Sequence, residues 1–229
     1  MTLSEHNVKR NGFCFLCDRL PHRIAGNDGT TMALDTSTAS AISVILYLKG
    51  DHDAYEKSEY TISKLLRNSD GTRPTLKEAL EHLHLSEYDL SKTLFDYLAG
   101  APKAHKINAN NKNQLATALS EENNKTTPNY DYTQDSPYII ASFRQVYGLS
   151  IDDIKLLHWW EFLALFNALP DECYFSRILQ IRGMKIDPKA TPERKEEIRK
   201  AKKAVALIDT RTPEQKEADR IAQFNALEL

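Results

Sequence analysis

Apolar residues recur along this chain at helical spacing far more often than in alternation, and polar punctuation cuts the pattern into short segments. Thr36 to Lys49 carries Ala39, Ile42, Ile45, Leu46 and Leu48 at that spacing, with Gly50 suited to end it. Tyr55 to Arg67 is a second expected helix, with Ile62, Leu65 and Leu66, closed by Asn68-Ser69-Asp70-Gly71. Pro74 or Thr75 opens a third, shorter helix ending near His84. Ser86 followed by Asp89 is a capping pair for a fourth, whose stripe of Leu90, Leu94, Tyr97 and Leu98 ends at Gly100 and Pro102. Ahead of these, the turn signal Gly26-Asn27-Asp28-Gly29 between His22-Arg23-Ile24-Ala25 and Thr31-Met32-Ala33-Leu34 predicts a small hairpin.

From Lys103 to Asn129 the pattern fails: seven asparagines and scattered apolar residues bury too little to offset ordering entropy, beyond a short helical turn near Leu115 to Leu119. Helices resume at Asp135-Ser136-Pro137 and run through Ile139, Ile140, Phe143 and Val146 to Gly148. Ser150 and Asp153 cap a helix expected to continue to Leu169, about 28 Å long at 1.5 Å per residue. Its polar residues, among them Asp152, Lys155, His158, Glu161 and Asn167, fall almost all round the wheel, so its first half is expected to reach the surface while Phe162 to Leu169 crosses the core. After Pro170, Asp171 is expected to cap a further helix through Phe175, Ile178 and Leu179 to Gly183. Thr191-Pro192-Glu193 and Thr212-Pro213-Glu214 then place a cap, a first-turn proline and a first-turn acid in the same register, and each starts a helix. In the first of these, Ile198, Ala201, Val205 and Ile208 make a stripe about 80° wide.

The fold class expected from this pattern is mainly α: a helical bundle with a small N-terminal β-hairpin and a C-terminal helical extension. Four stretches follow: 1–102, hairpin plus helices; 103–129, an Asn-rich linker or long loop; 130–186, a helical core; and 187–229, a charged helical tail. Charge sharpens the last boundary. The 229 residues carry 30 Lys+Arg and 32 Asp+Glu, a formal net charge of -2, with mean hydropathy -0.51. Arg182 to Arg220 holds 12 basic and 8 acidic residues, so a mildly basic tail follows an acidic body. No stretch approaches the ~18 apolar residues of a membrane span, and Met1 to Gly12 lacks the apolar core of a signal peptide. The expectation is an intracellular protein with no membrane partner.

The residues that could carry chemistry are few. Cys14 and Cys17 form one C-x-x-C, but Cys173 stands without a neighbouring Cys or His, and Cys17 runs into Asp18-Arg19-Leu20-Pro21 instead of a helix that would lower a thiolate pKa. All three read as packing thiols. Adjacent carboxylates at Asp152 and Asp153 point about 100° apart on a helix, and His82-x-His84 has the wrong spacing for convergence. No phosphate-binding glycine loop, G-x-S-x-G or H-E-x-x-H occurs. Leu157-His158-Trp159-Trp160-Glu161-Phe162 is the densest unusual stretch and holds both tryptophans. The adjacent rings are expected to anchor their helix against two different neighbours, with His158 and Glu161 satisfying each other or the indoles. Arg194 to Lys203 carries six basic and two acidic residues without interleaved aromatics to stack on bases, which reads first as a solvated helix face and next as a contact for an acidic protein partner.

One segment is more specific. Tyr130-Asp131-Tyr132-Thr133-Gln134-Asp135, Tyr138 to Phe143, Tyr147-Gly148-Leu149, Leu157 to Phe162, Ala164-Leu165-Phe166, Leu169-Pro170 and Phe175 to Arg182 together resemble the bacteriophage gene-product-fifteen family of tailed phages and prophages of Gram-positive bacteria. The match is looser around Leu16, Asp18 to Pro21 and the hairpin. Its fingerprint positions here are Asp135, Tyr138, Phe143, Tyr147, Gly148, His158, Trp159, Trp160, Phe162, Leu169, Pro170 and Arg182, and the resemblance assigns them no catalytic role. Genes of that family lie beside the tape-measure gene, so the resemblance implies a non-catalytic tail assembly chaperone in the host cell cytoplasm, without cofactor or metal, whose partners are the tape measure protein and other tail assembly proteins. Ile198, Val205 and Ile221 are candidate partner-binding residues on exposed faces of the tail helices. The alternatives are a structural tail component retained in the virion and, third, a nucleic-acid-binding protein using the basic tail helix.

Overall fold

The architecture follows from a series of helix starts that the sequence writes in full. In the computed structural model, which describes residues 2–3, 20–100 and 129–209, Ser37 caps α1 (Thr38–Leu48) and Asp53 caps α2 (Ala54–Leu65). Thr75 caps α3 (Leu76–Leu83) and Ser86 caps α4 (Glu87–Ala99). Each cap side chain accepts from the third amide of its helix, satisfying donors that have no intrahelical partner. Asp53 with Glu56 and Thr75 with Glu78 complete the bond in both directions. After the Asn-rich stretch come α5 (Ser136–Tyr147), α6 (Ile151–Leu156), α7 (Trp159–Asn167), α8 (Tyr174–Gly183) and α9 (Pro192–Ala204). The chain is mainly helical, as its spacing requires.

The hairpin is present and is part of a larger sheet. β2 (Arg23–Ala25) and β3 (Thr31–Leu34) pair antiparallel with Ile24 opposite Met32. β4 (Leu66–Arg67) adds antiparallel to β3, and β1 (Thr2–Leu3) adds parallel to β2, giving the order β1-β2-β3-β4. The second helix accordingly stops at Leu65, short of the expected Arg67. Arg67 explains the difference: one guanidinium nitrogen donates to the carbonyls of Ser63, Lys64 and Leu66 and so closes the helix, while the other pairs with Asp35 at the end of β3. Burial alone would raise the Asp35 carboxyl, but hydrogen bonds from Ser37 and Ser40 and the charge of Arg67 hold it below the usual range.

The hairpin turn also finishes a helix. Asn27 donates from its backbone to Leu83 O at 3.2 Å and from its side chain to His84 O at 2.8 Å, where His84 adopts φ 49 and ends α3. Gly26 lies against the same carbonyl, and a Cβ there would stand 2.0 Å from Leu83 O. On the other side of α1, the rings of Tyr47, His52 and Tyr60 stack in one column, with centroids 3.9 Å apart at each step, and fix α1 against α2. The core of this region consists of Ile24, Val44, Ile45, Ile62, Leu65, Leu66, Leu83, Leu90, Leu94 and Leu98, all buried.

Two further expected helices differ from the structure. The helix from Ser150 to Leu169 is two helices, because Leu157 (φ -51, ψ 142) and His158 (φ -59, ψ 136) leave helical geometry. The all-round polar pattern is thus the sum of two separate faces. α8 begins at Tyr174 instead of after Asp171, since a turn from Pro170 to Cys173 intervenes, with Cys173 N donating to Pro170 O at 3.2 Å.

The described residues fall into two units, Met1–Arg177 and Ile178–Leu229. The first holds the hairpin, its helices and α5 to α7, which lie on opposite sides of the Asn-rich segment in the sequence; Lys49 and Asp131 pair across that gap at 3.3 Å. In the second, Thr191 caps α9 as expected, Arg182 donates to Val205 O, and Lys195 and Lys202 donate to the carbonyls of Pro188 and Met184. The stripe expected on this helix is cut short, because α9 ends at Ala204 and Ile208 lies beyond it, 73% exposed. The Asn-rich stretch up to 128, the turn near Leu115 to Leu119, Cys14, Cys17 and the helix expected from Thr212 lie outside the described residues. No helix among the described residues is long and apolar enough to cross a membrane.

The Gly26 contact generates a direct expectation. Gly26→Ala places a methyl group on Leu83 O and is expected to destabilise the fold by about 1–3 kcal/mol, read as a lower denaturant midpoint with an unchanged slope.

Candidate functional site, an aromatic clasp

The break between α6 and α7 is built by backbone polarity. Where a helix stops, carbonyls and amides lose their partners and need others. Here the segment leading into α1 supplies them: Thr38 donates from both its amide and its hydroxyl to Leu157 O, at 2.9 and 3.0 Å, and Trp159 N donates to Thr36 O at 2.7 Å. Ser37 and His158 thereby form an isolated antiparallel bridge. His158 caps α7, its Nδ1 accepting from Trp160 N at 3.1 Å, and its Nε2 meets Pro21 O at 2.9 Å. One tautomer, neutral and protonated at Nε2, satisfies both contacts. Burial lowers the His158 pKa below its ordinary value of 6.5, against the opposing influence of the Pro21 carbonyl and Glu161.

The two tryptophans have the same neighbour, not different ones. Trp159 Nε1 donates to Leu98 O at 2.9 Å and Trp160 Nε1 to Tyr97 O at 2.8 Å. Both carbonyls belong to the last turn of α4; Tyr97 O also accepts from Gly100 N at 3.1 Å, and the indole pair adds side-chain donors to that helix end. Glu161 does not share the work: it is exposed, and the indoles and His158 are satisfied by backbone groups. The Tyr97 ring lies 5.9 Å from Trp160 and edge-on to His158 at 6.1 Å. Burial, with Asp35 nearby, pushes its hydroxyl pKa far above the ordinary value.

Behind the clasp, the fingerprint residues Phe143, Tyr147, Trp159 and Phe162 are part of one aromatic cluster. Phe162 stacks on Trp159 at 5.5 Å and on Phe143 at 5.2 Å, and Tyr130, Tyr132, Phe166 and Phe175 continue the array. Tyr147 OH donates to Leu165 O at 2.8 Å, and the buried Ser142 hydroxyl accepts from Phe175 N at 3.0 Å. Tyr132 OH has no hydrogen-bond partner among the described residues, and burial holds that phenol protonated far into the alkaline range. Asp135 is buried at the start of α5; its carboxylate accepts from Asp131 N and its carbonyl from Tyr138 N and Ile139 N. Gly148, at φ 72, ends α5. Tyr138 meets Tyr174 edge-on at 5.4 Å, while Leu169 and Pro170 form the turn between α7 and α8. Arg182 belongs to the second unit.

The remaining candidates are placed as follows. Asp153 is bound to Ser150 and Asp152 pairs with Lys155 at 3.4 Å, so these carboxylates do not converge. His84 pairs with Asp28 at 3.3 Å, away from any second histidine contact. Cys173 is a free, buried thiol beside Ser176. Among the described residues, no group of three His, Cys, Asp or Glu side chains could hold a metal ion. Ile198 is only 8% exposed, which removes it from the exposed face proposed for partner binding; Val205 is half-buried, and Ile221 lies outside the described residues. The partners the sequence did not reveal are Thr36, Thr38, Pro21 and the Tyr97 and Leu98 carbonyls. A Thr-Ser-Thr run before a helix is a capping signal, but backbone groups that bind from 119 residues away leave no local trace.

The family described as Bacteriophage Gp15 protein matches residues 16–207 of the chain. No curated protein matches it, and no solved structure does.

Two measurements probe the clasp. Trp160→Phe keeps an aromatic ring but removes one of the two donors to the Tyr97 carbonyl, and is expected to cost about 0.5–1.5 kcal/mol in urea unfolding. Because the folded pKa of His158 is depressed, the unfolded chain takes up the proton first as pH falls through 6.5, and stability is lost from there down to the folded pKa. Thermal unfolding is therefore expected at lower temperature at pH 5 than at pH 7, and His158→Asn, which retains a cap acceptor, is expected to narrow that difference.

Proposed function

This chain belongs to the bacteriophage Gp15 family, and on that premise we propose that it is a non-catalytic tail assembly chaperone that binds the tape measure protein in the host cell cytoplasm. The observation that carries the reading is the family match over residues 16–207, since genes of the family lie beside tape-measure genes.

The geometry supports it in two ways. The buried polar groups of the most distinctive stretch are engaged in building the fold: His158 caps α7 and both indoles donate to the last turn of α4. Meanwhile large apolar side chains remain on the outside of the first unit, including Tyr55, Tyr88, Phe95, Ile151, Leu156 and Tyr174. A tape measure protein is a long helical chain whose apolar stripes need cover until the tail tube surrounds it, and exposed apolar side chains on rigid helices can supply that cover. The basic tail helix fits a solvated face: Arg194 pairs with Glu197, Arg199 with Glu196, and Lys195 and Lys202 bind carbonyls.

Co-expression with the tape measure protein of the same phage or prophage, followed by affinity capture, tests the reading. The expected outcome is co-purification and a larger soluble fraction of tape measure protein, with the chain absent from purified particles by mass spectrometry. The absence of both co-purification and increased solubility would overturn it, and a fixed copy number in the particles would favour the structural tail component instead.

A further inference from the structure

The fourth helix is apolar on two sides. Its inner stripe, Leu90, Leu94, Tyr97 and Leu98, is fully buried. A second stripe, Tyr88, Lys92, Phe95 and Ala99, recurs at i, i+4, i+7 and i+11. By the 100° step of a helix these four lie within about 60° of one another, over about 16 Å of axis. Tyr88 is 74% exposed and Phe95 40% exposed. These two ring-bearing side chains, two turns apart, lie on the outside of the helix, outside the buried core of the described residues. They have the spacing with which one helix receives another.

Two further features say what kind of helix. The rim is acidic: Glu87 and Asp96 lie on either side of the stripe, Asp89 lies beyond Asp96, and the single base of α4, Lys92, sits at i+3 from Asp89 and i-4 from Asp96. The surrounding region has the same sign, with 12 acidic and 8 basic residues from 20 to 100. The helix is also held rigid, since Ser86 caps its start and the Trp159 and Trp160 indoles cap its end. A preorganised face loses little entropy on binding.

We propose that the outward face of α4, centred on Tyr88 and Phe95, is a docking surface for an amphipathic helix of a partner protein that has Lys or Arg along its edges. A second copy of this chain is disfavoured at the same face, because the acidic rims would meet. The biological source of that helix, a segment of tape measure protein, rests on the function proposed above; the surface and its chemistry do not.

Two arms separate the two claims. In the first, the full chain is titrated with a synthetic amphipathic helical peptide bearing Leu at i, i+3/i+4 and i+7 and Lys/Arg along the edges, and with a control peptide bearing Glu there. Binding of the basic peptide alone is expected, weakening as salt rises. Tyr88→Ser and Phe95→Ser are each expected to lower affinity by about tenfold, while Leu156→Ser, at another exposed apolar position, leaves it unchanged. Both target side chains are exposed, so folded variants are expected, and unchanged thermal unfolding confirms that. Equal binding of both peptides, no binding, an unchanged affinity in the Tyr88 and Phe95 variants, or self-association through this face would overturn the inference. In the second arm, tape measure protein is co-expressed with the same variants: loss of capture by Tyr88→Ser and Phe95→Ser supports both claims. Full capture by these variants refutes tape measure protein as the occupant of this face and leaves the function standing, and the peptide titration decides the surface. Failure of capture by the unaltered chain refutes the function, and the peptide titration still decides the surface.

Discussion

At Leu157 and His158 the backbone leaves helical geometry, and the polar groups freed there, at half-buried positions, need other partners. That requirement organises the first unit. Thr36 and Thr38 meet the break from the start of α1, Pro21 receives the His158 ring ahead of the sheet, and the tryptophans that follow close the end of α4. Four segments remote in sequence thus meet at one junction, and most of the bonds involve backbone groups, which no substitution can remove without moving the chain. The aromatic cluster of Phe143, Phe162, Phe166, Phe175, Tyr130 and Tyr132 packs behind it and contributes apolar burial that a lone hydrogen-bonded seam would lack.

Much of this was legible in the sequence wherever the cause is local. Thr75, Ser86, Ser150 and Thr191 read as helix starts and each caps one, while Ser37 and Asp53, the caps of α1 and α2, were not singled out. Gly148 ends α5, and Gly26 to Gly29 turns the hairpin, because those constraints act within a few residues. Where the cause is distant the pattern misled. Residues 151 to 167 read as one helix, since nothing near Leu157 reveals that Thr38 will compete for its carbonyl. Leu66 and Arg67 read as helical until β3 offers an edge to pair with. The tryptophans were recognised as anchors, but their common partner, the last turn of α4, lies 61 to 63 residues away. Ile198 illustrates the opposite limit: a stripe on a charged helix looks available for a partner until burial shows that the chain itself uses it.

A division of labour follows for the family resemblance. Among the positions that make this chain recognisable, Asp135, Phe143, Trp159, Trp160 and Phe162 are buried, and each has a structural duty. They define a scaffold, and whatever the scaffold meets must be recognised by its outward faces, where side chains can vary without disturbing the clasp. On α4 both roles share one helix, with the clasp closing its inner end and the Tyr88 and Phe95 stripe facing outwards.

Native-state hydrogen exchange at the Thr38 and Trp159 amides tests the clasp most directly, because each donates across the break to the opposite segment. The account predicts that both exchange only when the whole first unit unfolds, so their opening free energies equal that of the slowest core amides and fall together with them in denaturant. Exchange at the rate of a fraying helix end, insensitive to denaturant, would contradict it and leave α6 and α7 as neighbours without a seam.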